Sequence, residues 1–87
     1  MSVDSFTVHR IARLARIAVS DAEADLAKYE VVLSAIDRAM FDPQAAANEY
    51  KDLTMGELSQ RRGKIVAART VAEAKWVAAS EALAKAG

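Results

Sequence analysis

Apolar and polar residues recur with helical spacing along nearly the whole chain, and the sharpest pattern runs from Val8 to Met40. From Phe6 to Ala18, the residues Val8, Ile11, Ala12, Ala15 and Ala18 return at intervals of three and four, which lines one face of an α-helix. Leu14 and Ile17 widen that stripe beyond what one neighbouring helix covers. Ser20-Asp21-Ala22-Glu23 reads as a capping box with Val19 as its hydrophobic staple. The pattern therefore predicts a chain reversal at Ala18–Ser20 and a new helix from Asp21, whose acidic start suits the positive helix end. Leu26, Tyr29, Leu33, Ile36 and Met40 follow at spacings of 3, 4, 3 and 4, a narrow seam for a single partner helix. After so short a connection the expected partner is the first helix, giving an antiparallel hairpin over 6–18 and 21–41. Asp4 or Ser5 is its expected cap, with Met1–Asp4 as a frayed tail.

The second half is punctuated differently. Asp42-Pro43 ends one helix and can start another, because proline restricts the residue before it yet suits the first helical position. A short helix over 43–51 follows, with Ala46, Ala47 and Tyr50 on one side. Thr54-Met55-Gly56-Glu57 is a second capping box, opening a long helix over 55–85. Gly63 and a third box, Thr70-Val71-Ala72-Glu73, mark places where it could break; the reading favours one continuous helix. Leu58, Ile65, Ala72, Ala79 and Ala86 share one heptad line, and Trp76 and Leu83 the adjoining one, interrupted by Arg62 and Arg69. So weakly apolar a helix is not held by propensity alone and must pack on the hairpin, another copy or a partner. The fold class is all-α, a single small domain.

Composition agrees with helix: only three Gly and one Pro in 87 residues. Twelve basic and twelve acidic side chains cancel, so no global affinity for nucleic acid or an anionic membrane is implied. No apolar run approaches the roughly 18 residues of a membrane span. Charged residues interrupt the first 19 positions, which argues against a secretory signal. The absence of cysteine fits a reducing compartment, hence a cytoplasmic location, and excludes disulfides and thiolate metal sites.

Candidate chemistry is sparse. His9 is the only histidine, no Ser/His/acid set can be argued, and Gly56, Gly63 and Gly87 are isolated rather than a phosphate loop. No catalytic, cofactor or metal residues are assigned, and the chain reads as a binding protein rather than an enzyme. Arg61, Arg62, Lys64 and Arg69 form the densest basic cluster and are candidates for contact with an anionic partner. No aromatic is interleaved with them to stack on bases, which counts against direct nucleic-acid binding. Trp76 is a candidate partner anchor or core residue.

The run Val8-His9-Arg10-Ile11-Ala12-Arg13-Leu14-Ala15-Arg16-Ile17-Ala18-Val19-Ser20, its acidic sequel and the Leu33/Ile36 seam resemble the small C subunit of bacterial glutamyl-tRNA(Gln)/aspartyl-tRNA(Asn) amidotransferase. The opening Met1-Ser2-Val3-Asp4 is similar too; the resemblance covers about residues 1–40 and ends at Phe41. It implies a non-catalytic accessory subunit whose hairpin packs on a larger, amidase-family enzyme. By that resemblance the partner-binding positions are Val8, Ile11, Leu14, Ala15, Ile17, Leu33 and Ile36, with Trp76 added from its own chemistry. The alternative is a self-assembling structural or adaptor protein, of the phage or secretion-apparatus type, joined through the Ala-rich C-terminal helix.

Overall fold

A computed structural model of the chain describes residues 5–86. The tail Met1–Asp4, with Asp4 as a candidate cap, lies outside them. Two long helices lie antiparallel: α1 over Ser5–Phe41 and α2 over Met55–Ala86. At ~1.5 Å per residue they run roughly 55 and 48 Å, and the molecule measures 63 × 17 × 14 Å. The all-α class and the continuous C-terminal helix are as expected; the internal fold of the first half is not.

No reversal occurs at Ala18–Ser20, and α1 passes straight through it. The reason lies in the seam. Leu26, Tyr29, Leu33, Ile36 and Met40 extend backward in unbroken phase through Ala22, Val19, Ala15, Ala12 and Val8. A reversal would give up that phase and leave about four amides and four carbonyls without helical partners. Ser20 is exposed within the helix, and the Glu23 carboxylate accepts a hydrogen bond from Trp76 Nε1 at 3.2 Å instead of capping. The partner of the seam is α2, not the first half of α1.

The expected helix over 43–51 is also corrected. Asp42 does cap, its Oδ1 accepting from Gln44 N at 3.2 Å, but only a 3-10 turn forms over Pro43–Ala45 (η1). Ala46 then turns extended, at φ −61° and ψ 140°, and hydrogen-bonded turns at Tyr50 N→Ala47 O and Leu53 N→Tyr50 O bring the chain round. Tyr50 is thereby buried against Ile36, Ala39 and Leu58, with Val32, Met40, Leu53 and Ile65 around them. Thr54 is a working cap: its hydroxyl oxygen accepts from Glu57 N at 3.2 Å and its proton goes to Glu57 Oε1 at 3.1 Å. The third box does not cap, since Thr70 Oγ1 donates to Val66 O within the helix and Glu73 pairs with Arg69.

The large core residues thus gather at the loop end. Toward the termini the buried side chains are Ala12, Ala15, Ala22, Ala72 and Ala79, which let the helices approach closely but remove little apolar area from water.

Candidate functional site

Three contacts tie the helices along one side of the seam. Arg62 Nε donates to Asp37 Oδ1 at 2.7 Å, Arg69 Nη2 lies 2.8 Å from Glu30 Oε1, and Trp76 Nε1 reaches Glu23. Each step of seven residues down α1 (37, 30, 23) matches seven up α2 (62, 69, 76), so one register holds throughout. Arg69 Nε also sits 3.2 Å from Glu73 Oε1, as an ion-pair contact rather than an aligned hydrogen bond. These ion pairs are about half exposed, so they fix register more than they add stability.

The basic cluster is accordingly divided. Arg62 and Arg69 belong to this ladder, whereas Arg61 and Lys64 line a cleft on the other side with Val32, Ile36, Tyr50 and Ile65. Tyr50 has its phenol pKa raised above the ordinary value, by burial first and then by the neighbouring Glu49 carboxylate, partly opposed by Arg61.

The candidate partner-binding residues also separate. Ala15, Leu33 and Ile36 are buried between α1 and α2, and Val8 is half-buried there, so they serve the chain's own packing. Ile11, Leu14 and Ile17 remain 47, 52 and 51% exposed, forming an apolar ridge. Arg10, Arg13 and Arg16 accompany them, and no acidic residue falls between Ser5 and Ser20. Trp76 is 37% exposed with its indole N–H committed to Glu23, so its free part is the ring. Reading the sequence missed the ladder, although Glu23, Glu30 and Asp37 recurring at seven opposite Arg62, Arg69 and Trp76 was its signal.

Among the described residues no group of three His, Cys, Asp or Glu side chains is arranged to hold a metal ion. Nor, among the described residues, is any helix long and apolar enough to cross a membrane. No protein-family model, curated protein or solved structure matches the chain.

Proposed function

We propose that the chain is a non-catalytic accessory subunit that works in the cytoplasm by docking on a larger protein. The observation that carries this reading is the ridge of Ile11, Leu14 and Ile17, about half exposed on a long helix and bordered by Arg10, Arg13 and Arg16. Such a surface suits a partner with an apolar centre and an acidic border: burial supplies affinity, at ~25 cal/mol per Å2 of apolar area, while charge sets orientation and approach. The partner class implied by the resemblance of residues 8–20 is an amidase-family enzyme. That implication rests on the helical residues alone, since the turn expected beside them is absent.

Affinity capture with the tagged chain from its native lysate tests this, run beside a Leu14→Asp/Ile17→Asp variant. The expected result is a larger protein held in fixed ratio, an amidase-family enzyme if the resemblance is sound, and lost with the variant while helicity is unchanged. Capture equal for both chains would remove the ridge from the account. Recovery of the chain alone would favour the self-assembling reading.

A further inference from the structure

The two sides of the seam differ. On the side away from the ladder, three clefts of about 180, 560 and 370 Å3 follow one another from the loop end to the termini. On α1 they are reached by Ile11, Ala18, Asp25 and Val32, one heptad row. Residues five apart are ~140° apart around a helix, so this row lies across the seam from Glu23 and Glu30. On α2 the floor is mainly alanine: Ala72, Ala78, Ala79 and Ala82. No ion pair closes this flank among the described contacts.

We propose that this open flank packs against the same flank of a second copy, making a two-layer bundle of four helices with both loops at one end. Area favours a second layer. The chain exposes 6563 Å2, where a compact monomer of its 9.4 kDa mass exposes about 5,000 Å2. The flank's 63 × 17 Å outline is on the order of 1,000 Å2, against about 800 Å2 per partner in a standard stable interface. A lone pair of helices with a mainly alanine seam has no second layer, and α-helical domains are built from layers packed on one another.

Charge selects the arrangement. The α2 edge of the flank carries Arg61, Lys64, Lys75 and Lys85 against one acid, Glu57, at its loop end on the row of Lys64 and Lys85, whereas the α1 edge carries Asp21 and Asp25 beside Lys28. A two-fold axis across the helices would lay α2 on α2 and oppose the cations. An axis along the hairpin lays each α1 on the partner copy's α2, antiparallel. In the register of the ladder, Lys75 stands at the height between Asp21 and Asp25. Both copies then gain the same acid–base contact; Ile17 and Arg13 stay outside, while Ile11 and Leu14, on the rows of Ala18 and Asp21, are covered, so the dimer and a protein docked on the ridge exclude one another.

Sedimentation equilibrium of the full chain, with dipolar distances between spin labels at Asn48→Cys, tests both parts; the chain has no other cysteine. The expected result is a dimer whose loop labels lie well within half the 63 Å molecular length of each other. Ala78→Glu should weaken the dimer at least tenfold, while Ala84→Glu, on the outer surface, should leave it intact. Lys75→Asp should weaken it, and adding Asp21→Lys and Asp25→Lys should restore it, which separates a docking effect from a loss of helix. A fully helical monomer at tens of micromolar, or labels near a full molecular length apart, would overturn the proposal. A monomer would leave the docking ridge on α1 untouched, because that surface is read by capture of a different protein.

Discussion

Ile36 is the most deeply placed large side chain, 1% exposed at the centre of the loop-end cluster. Its truncation to alanine should cost about 2–5 kcal/mol, since transfer and cavity terms add, and a urea melt followed by circular dichroism reads the loss directly. Tyr50 beside it gives a pH test. Its phenol pKa is raised in the folded chain, by burial before charge, so folding favours the protonated form. Stability from this group is fully present below the unfolded value of about 10 and is lost as pH climbs through the higher folded value. In a Tyr29→Phe background, phenolate absorbance should therefore appear later in the native chain than in urea; coincident curves would contradict the burial. The residue scale is also where reading the sequence erred. Ser20, Thr54 and Thr70 each head a motif that caps equally well on paper. Only Thr54 caps, because Asp42-Pro43 and the turns around Tyr50 have already broken the chain ahead of it. At Ser20 and Thr70 the flanking residues keep the seam in phase, and tertiary packing overrides the local signal.

For the elements, the decisive feature is phase continuity over ten seam positions of α1, from Val8 to Met40. The seam from Leu26 onward was legible, and so was the heptad line through Leu58, Ile65, Ala72 and Ala79. Which helix faced which was not, because the alanines at 12, 15 and 22 are weak as hydrophobic markers yet are the residues buried. A proline at Asp21 separates the two topologies. It would suit the first position of a new helix, but within a continuous one it should cost about 3 kcal/mol or more. Asp21→Pro is thus expected to lower the melting temperature sharply. Gly63→Ala should do the opposite, adding about 1 kcal/mol, since a Cβ there meets nothing within 4 Å and the position is helical.

Across the whole molecule, stability and surface are unevenly shared. The bulky residues close the loop end, and the terminal half of the seam is mainly alanine beside an open flank. A long, thin hairpin with a radius of gyration of 18.7 Å is far from the ~12 Å of a compact chain of this length, so much of its surface is available to other proteins. Binding through the apolar ridge bordered by Arg10, Arg13 and Arg16 should weaken as salt rises, since exposed charges are screened over about 8–10 Å at physiological ionic strength. The register, the ladder and the open flank exist only if α1 runs unbroken through Ser20. The most direct test is the distance between spin labels at Thr7→Cys and Arg38→Cys, both exposed, in a labelled chain diluted with unlabelled protein. A continuous helix sets them roughly 46 Å apart. A distance under about 20 Å, close to the spacing of two packed helices, would mean that α1 folds back on itself, and would remove the register, the ladder and the open flank together.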